Sequence, residues 1–154
     1  MFVRDSWIGM IAIYNPGMPK QVPLGVRGTS ELKVEREQTL AVYDPKLPPV
    51  LSTPHMIGQM EIAAANALLP YCEGDEVTVG TAINIEHTAA CGAGTEVVCE
   101  AVLERVEARF YVFRVTARAR QNGDDFEIGK GTVTRAFVSV GRFMKRLQEQ
   151  SAAK

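Results

Sequence analysis

The stretch TPHMIGQMEIAAANALL, residues 53–69, predicts the helix that decides the fold. Thr53 followed by Pro54 is typical of a helix N-cap and of the first helical position. Apolar residues then recur at helical spacing, at Met56, Ile57, Met60, Ala63, Ala64, Ala67 and Leu68. Because Glu61 is the only charged residue between Pro54 and Glu73, the helix is apolar over most of its surface. Such a helix is normally buried, and we expect this one at the centre of the domain.

Four strand-like segments follow the helix, separated by short turns, at residues 77–87, 96–106, 110–120 and 126–138. Residues 30–43 predict a weaker first strand before the helix, and residues 140–154 predict a short terminal helix that frays. An antiparallel sheet wrapped around one apolar helix is an α+β architecture. Because one helix cannot cover a five-stranded sheet fully, the pattern also indicates a dimer.

The strand at residues 77–87 carries a glycine at its centre. Alternation along this strand predicts that one face holds Val77, Val79, Thr81, Ile83, Ile85 and His87. Gly80 interrupts the strand, which indicates either a β-bulge or kink, or a close approach of the backbone to a ligand.

Composition excludes several classes of protein. The 154 residues fit one domain, and 46% hydrophobic with 23% charged residues is ordinary globular composition. Seventeen Lys and Arg against eighteen Asp and Glu give a net charge of −1, which argues against a nucleic-acid partner. No apolar run approaches the ~18 residues of a membrane span. We divide the chain into an N-terminal arm (1–29), the folded domain (30–145) and a frayed tail (146–154).

The cysteines and the N-terminus predict a cytoplasmic location. Three cysteines without a C-x-x-C pair fit reduced thiols better than a disulfide framework. The apolar run at residues 7–14 is short, and Asp5 stands where a signal peptide would be basic, so we do not expect a cleaved signal.

Glu61 is the strongest functional candidate that the residues alone provide. A carboxylate among apolar neighbours loses hydration and suits base, nucleophile or acid chemistry; the alternative is a side chain that reaches solvent at the helix edge. Thr53 lies eight residues earlier, a rise of ~12 Å. If the two share a site, then Thr53 precedes the helix proper, the substrate spans the gap, or a second chain completes the site.

Only two histidines are present, His55 and His87. His87 ends a strand, where it is either structural or catalytic. Two histidines and scattered cysteines give no zinc spacing, so we expect no metal site.

Three segments together resemble the fluoroacetyl-CoA thioesterase-like family: LSTPHMIGQMEIAAANALLPY, VTVGTAINIEHTAA and IGKGTVTRAFV. The resemblance covers about residues 51–143. It implies a hotdog fold, with a sheet wrapped around one long helix, paired into a homodimer with active sites near the interface. A tetramer is the alternative assembly.

The resemblance also implies an acyl-CoA thioesterase and assigns roles to five residues. Thr53, Glu61 and His87 match the family's catalytic set. Gly80 matches a glycine whose backbone borders the acyl pocket, and Arg135 matches an arginine near the acyl group. The expected substrate is an acyl-CoA or acyl-carrier thioester, and no cofactor is expected because CoA is part of the substrate.

Two departures from the family pattern concern the substrate. The stretch YDPKLPPV before the helix lacks the phenylalanine lid, and Pro54-His55 stand where the fluoroacetyl enzyme has Gly-Phe. We therefore expect a non-fluorinated acyl group. The alternatives are a non-catalytic hotdog protein that binds an acyl thioester or metabolite, and a hotdog hydratase or dehydratase, although the local motif of the latter is absent.

Overall fold

The computed structural model of the protein describes residues 18–152, which form one antiparallel sheet and two α-helices. The strands are β1 (Arg27–Lys33), β2 (Glu76–His87), β3 (Glu96–Glu107), β4 (Phe110–Gln121) and β5 (Asp124–Ser139). Their order in the sheet is β1-β3-β4-β5-β2. The helices are α1 (Thr53–Leu68) and α2 (Val140–Ala152), and 3-10 turns occupy Arg36–Gln38, Leu40–Val42 and Leu69–Tyr71.

Helix α1 lies against the concave face of the sheet, which confirms the predicted α+β architecture. Its buried side chains are Met56, Met60, Ala63, Ala64, Ala67 and Leu68. The small residues allow a close approach to β1. A Cβ atom at Gly28 would overlap the Ala63 carbonyl and the Ala67 amide of the helix backbone.

The hairpin from β3 to β4 supplies much of the remaining core. Its inward residues are all buried, namely Val97, Cys99, Ala101, Leu103, Tyr111, Phe113, Val115, Ala117 and Ala119. Each large apolar side chain among them contributes about 1.5–3 kcal/mol by burial. At the next turn Asn122 and Gly123 have φ angles of 53° and 85°, the positive values that a two-residue hairpin turn requires.

The start of α1 differs from the prediction by one residue. Ser52 is the N-cap, with extended φ and ψ of −75° and 147°, and Thr53 and Pro54 are the first two helical residues. The prediction that Thr53 is the N-cap is therefore wrong. Its hydroxyl is free to contact another part of the chain.

The first strand also differs from the prediction. Strand β1 begins at Arg27 and ends at Lys33, paired with β3 from Val102 to Glu96. The predicted strand over residues 30–43 is thus wrong in its second half, where the chain turns through two 3-10 segments. The polar run that starts at Glu35 offers no apolar face to the helix, so the chain leaves the sheet there.

Strand β2 changes face at a β-bulge. The register shifts between Gly80 and Ala82, so that an extra residue stands opposite Arg135. The prediction that Val77, Val79 and Thr81 share a face with Ile83, Ile85 and His87 is wrong, because the bulge breaks the alternation. Thr78 and Gly80 face the helix instead, and the side chain of Val77 is 43% exposed.

Lys20, in the chain before β1, forms an ion pair and hydrogen bonds with residues around the sheet. Its ammonium group lies 3.1 Å from Glu73 Oε2 and donates to the Tyr71 carbonyl at 3.0 Å, while its own carbonyl accepts a hydrogen bond from Tyr111 Oη at 2.8 Å. The apolar run at residues 7–14 lies outside the described residues. Within 18–152, no helix is both long enough and apolar enough to span a membrane.

Candidate functional site

Thr53 and His87 form a hydrogen-bonded pair where α1 begins and β2 ends. Thr53 Oγ1 lies 2.9 Å from His87 Nδ1. The pair forms because Ser52 occupies the N-cap position, which leaves the Thr53 hydroxyl available. His87 Nε2 is buried and has no hydrogen-bond partner among the described residues. A histidine held at one nitrogen and unpartnered at the other is arranged to exchange a proton at the second nitrogen.

The direction of the hydrogen bond decides what Nε2 does. When the Thr53 hydroxyl donates to Nδ1, the neutral ring carries its proton on Nε2, which is then a hydrogen-bond donor. When Nδ1 donates to the hydroxyl, Nε2 is the acceptor and acts as a base. Once Nε2 has taken up a proton, the imidazolium keeps the same Nδ1 hydrogen bond to Thr53 and acts as an acid at Nε2, so the pair serves both halves of an acid–base cycle.

A pocket of about 360 Å³ opens beside this pair. Thr53 and His87 form part of its wall, and Leu40, Val50 and Ala89 supply apolar surface. The Leu40–Val42 turn, which replaces the predicted strand, brings Leu40 to this position. The pocket combines two polar groups with apolar walls, as sites for small organic ligands do.

Glu61, Gly80 and Arg135 form a second group of site residues. Glu61 Oε1 lies 3.6 Å from Arg135 Nη1, and a Cβ atom at Gly80 would overlap the same carboxylate oxygen. The side chain of Glu61 is 32% exposed, whereas that of Arg135 is only 9% exposed. Burial lowers the pKa of the Arg135 guanidinium and the charge of Glu61 opposes this shift. An arginine nevertheless remains charged, so a fixed cation stands beside the carboxylate.

The structure brings the five predicted site residues together as these two separate groups. Thr53 contacts His87, and Glu61 contacts Gly80 and Arg135. No hydrogen bond or ion pair joins the two groups within residues 18–152. Eight helical residues separate Thr53 from Glu61 by about 12 Å along α1, and β2 separates Gly80 from His87 by about 20 Å.

Two further polar contacts at the site were not predicted from the sequence. Thr78 accepts hydrogen bonds from Arg135 Nε at its hydroxyl, 3.0 Å, and from Arg135 Nη2 at its carbonyl, 2.7 Å. Ser52 Oγ lies 2.7 Å from His55 Nδ1. The inward position of Thr78 was hidden by the bulge, and the pairing of Ser52 with His55 depends on the true N-cap.

Comparisons with known proteins identify relatives of this chain. The family described as fluoroacetyl-CoA-specific thioesterase (FlK) matches residues 34–141. The fluoroacetyl-CoA thioesterase of Streptantibioticus cattleyicolor is 35% identical over 136 residues, which cover 84% of this chain and 95% of that enzyme. The chain belongs to the FlK family. All five predicted site residues lie within the matched range.

Solved structures agree with this family and with the hotdog fold. A variant of the fluoroacetyl-CoA-specific thioesterase FlK in complex with fluoroacetate and CoA is 37% identical, with a TM-score of 0.68 over 79% of this chain and 99% of that one. A Thermus thermophilus protein of the thioesterase superfamily is 26% identical, with a TM-score of 0.76 over 88% and 99%. The FlK-family match begins after β1 and ends at the start of α2.

Proposed function

We propose that the protein is an acyl-CoA thioesterase that hydrolyses a small or medium acyl thioester to the free acid and CoA. The observation that carries the proposal is the Thr53–His87 pair, whose buried Nε2 has no partner among the described residues. The carboxylate of Glu61, held beside Gly80 and Arg135, supplies the second functional group. The relatives named as fluoroacetyl-CoA thioesterases support the reaction class.

The proposed reaction needs only these side chains and water. Glu61 either attacks the thioester carbonyl to form an anhydride, which water then hydrolyses, or takes a proton from the attacking water. As the carbon–sulfur bond breaks, the His87 imidazolium gives its Nε2 proton to the departing CoA thiolate. It regains a proton from the water that hydrolyses the anhydride, or from Glu61 once that carboxylate has deprotonated the attacking water. Thr53 orients the imidazole through Nδ1. No cofactor enters the reaction, since CoA is part of the substrate.

We infer a non-fluorinated acyl group from the residues before and within the first turn of α1. Leu47 and Pro48 belong to the stretch that lacks a phenylalanine, and His55 stands on the first turn with its Nδ1 bonded to Ser52. An acyl group attached to CoA or to a carrier protein fits the proposal equally, and we propose a cytoplasmic location from the three free thiols.

We further infer a homodimer, because a second chain would complete the site. Strand β2 is a long edge strand, with Val77 and Ile83 43% and 45% exposed, and an apolar free edge favours pairing with another strand. Antiparallel pairing of two β2 strands about their middle would bring the partner's His87 close to Gly80, on the face that carries Glu61. The two groups of site residues would then meet across the interface.

The activity is tested with a panel of short, branched, aromatic and long acyl-CoAs. Cleavage is followed by the loss of thioester absorbance, because the three protein thiols would react with a thiol reagent. The expected result is turnover of at least one member and its loss in Glu61→Gln. A folded wild type that binds acyl-CoA without turnover would instead indicate a non-catalytic hotdog protein that binds acyl thioesters.

Mixing two inactive variants tests the shared site. Glu61→Gln and His87→Ala are unfolded together and refolded. About half of randomly mixed dimers are heterodimers with one intact composite site, so about a quarter of wild-type turnover should return. No recovery, with a dimeric mass by light scattering, would place each site within one chain. A monomeric mass would contradict the dimer itself.

A further inference from the structure

We propose that Thr78 is a positioning residue of this enzyme, which orients the guanidinium of Arg135 towards Glu61. The inference rests on the proposed thioesterase function and adds to it a residue that lies outside the groups named so far as catalytic or substrate-binding. It follows from three observations, namely the burial of Arg135, the contacts of its nitrogens and the inward turn of β2 before the bulge.

Thr78 holds one edge of the Arg135 guanidinium at two points. Nε donates to the Thr78 hydroxyl at 3.0 Å, and Nη2 donates to the Thr78 carbonyl at 2.7 Å. Two parallel hydrogen bonds to one residue fix both the position and the rotation of a planar guanidinium. The side chain of Arg135 is also only 9% exposed, so water does not compete freely for these donors.

Because this edge is held, the remaining nitrogen faces the reactive carboxylate. Nη1 lies 3.6 Å from Glu61 Oε1, which is an ion-pair distance too long for a hydrogen bond. Arg135 therefore stabilises the charge on Glu61 and keeps Nη1 donors free for the acyl oxygen. A rotated guanidinium would lose both functions, since a charge acts on its neighbours according to distance.

The bulge at Gly80 and Ala82 allows Thr78 to take this role. It gives Thr78, Gly80 and Ile83 the same inward face, although their sequence spacing is irregular. Thr78 thus stands on the same side as Arg135, and Gly80, opposite Arg135 in the sheet, leaves space for the Glu61 carboxylate. A threonine that faced solvent would have no access to Arg135.

Removal of the hydroxyl tests the proposal, because the Thr78 carbonyl remains in every variant. Thr78→Val leaves the buried Nε donor without its acceptor, and we expect kcat to fall about 10- to 100-fold with a small change in KM. Thr78→Ser keeps the acceptor and should stay within about threefold of wild type. Thr116→Val, the same change on the outer face of β4, is the matched control and should leave kcat unchanged. If Thr78→Val does not fold, Thr78→Cys replaces it, since sulfur is a weak acceptor.

A double-mutant cycle separates positioning from a structural role. Arg135→Lys keeps the positive charge but has no Nε donor, so Thr78→Val in that background should cause little further loss of kcat. In the wild-type background, Thr78→Val should also speed the exchange of the Arg135 Nε–H with water in ¹H–¹⁵N spectra. This second measurement does not depend on activity.

The outcomes distinguish this proposal from the proposed function. Wild-type kcat in Thr78→Val, or an equal loss in both backgrounds, would overturn the role of Thr78 while leaving the thioesterase intact. A folded wild type that cleaves no member of the acyl-CoA panel would overturn the thioesterase, and the role of Thr78 in catalysis with it. Three results would support the proposal. Thr78→Val lowers kcat with little change in KM, Thr78→Ser keeps kcat near that of wild type, and Thr78→Val causes no further loss of kcat in the Arg135→Lys background.

Discussion

The carboxylate of Glu61 occupies the space that a side chain at position 80 would fill. A Cβ atom built on Gly80 overlaps Glu61 Oε1 and comes within 3.7 Å of Arg135 Nη1. The glycine is therefore needed for the absence of a side chain, and not for an unusual backbone angle. Helix α1 and strand β2 meet at this point, so the catalytic carboxylate of the proposed reaction depends on a residue that contributes no side-chain atoms.

Gly80→Ala is expected to reduce kcat more than stability. The added methyl group displaces the Glu61 carboxylate, and a misplacement of about 1 Å costs about 100-fold in rate. The rate at which thioester absorbance is lost, measured with an acyl-CoA that the wild type cleaves, would give kcat. Gly92→Ala is the control, because its methyl group makes only an ordinary contact, 3.8 Å from the Pro49 carbonyl. Equal kcat in both variants would contradict this account of Gly80.

Thr53→Val should impair turnover and leave stability nearly unchanged. The variant loses the hydrogen bond to His87 Nδ1, and we expect a fall in kcat of about 10- to 100-fold. Since Ser52 is the N-cap, the thermal midpoint should remain close to that of wild type. Thr53→Ser, which keeps the hydroxyl, should preserve most of the activity. A variant that loses about 1 kcal/mol of stability, as a lost cap does, and keeps its kcat would make Thr53 a structural residue.

Gly28→Ala is expected to destabilise the fold. Its methyl group would meet backbone atoms of Ala63 and Ala67, which cannot move aside as a flexible side chain does. We expect a loss of about 3 kcal/mol in the free energy of unfolding, measured by urea denaturation. Gly58→Ala in α1 meets no atom within 4 Å and should stabilise the helix by up to about 1 kcal/mol. Similar unfolding midpoints for the two variants would contradict the close contact of β1 with α1.

The start of α2 should weaken at acid pH through Asp75. Hydrogen bonds from the Gly141 amide and the Ser139 hydroxyl lower the pKa of this carboxyl. A lowered folded-state pKa means that the stabilisation is complete above the ordinary value near 4 and is lost as pH falls through the folded value. Asp75→Ala should mimic this loss at neutral pH.

Hydrogen exchange of residues 140–152, read by mass spectrometry at neutral pH, measures this effect. It should be about fivefold faster in Asp75→Ala than in wild type, the size of a lost helix cap. Asp124→Ala, at the start of β5, is the control. Unchanged exchange in Asp75→Ala would show that α2 is held by other contacts.

The three cysteines should react with iodoacetamide in order of exposure. Burial raises the pKa of Cys99 to about 11 and also raises the pKa of Cys91, and burial with the charge of Glu76 raises that of Cys72. Only Cys72 is partly exposed, so at pH 8 it should react first and Cys99 last, at rates at least about tenfold apart. Peptide mass spectrometry would identify each site. Early modification of Cys99 in folded protein would show that β3 opens from the sheet.

Periodicity predicted the elements whose burial is regular. Helix α1 and the β3–β4 hairpin were predicted because the side chains on one face are apolar at the period of each element. The α+β class followed from the order of these elements. Glu61 was found as a functional candidate because it is the only charge in α1, and no tertiary information was needed for that.

The remaining features depend on interactions that a local pattern does not contain. Gly80 indicated a β-bulge as one interpretation, but the apolar alternation of β2 does not show that the faces reverse there, so Thr78 was not recognised. Ser52 and Thr53 are both good N-caps, and the sequence does not show that Thr53 instead forms a tertiary hydrogen bond with His87. Glu61 lies beside Gly80, and the length of β2 separates Gly80 from His87. This distance could not be predicted until the structure showed which part of β2 lies beside Glu61.

Strand β1 has a practical consequence for anyone who prepares this protein. The family match begins at residue 34, yet Ser30 Oγ donates to the Gln59 carbonyl of α1 and Asn66 Nδ2 donates to the Thr29 carbonyl of β1. A chain that began at residue 34 would lack β1. One side of the central helix would then be exposed, and the backbone of β3 would have no pairing partner on that edge. A chain expressed as a folded enzyme therefore has to begin upstream of Arg27. To keep the contacts of Lys20 with Glu73, Tyr71 and Tyr111 as well, it has to begin upstream of Lys20.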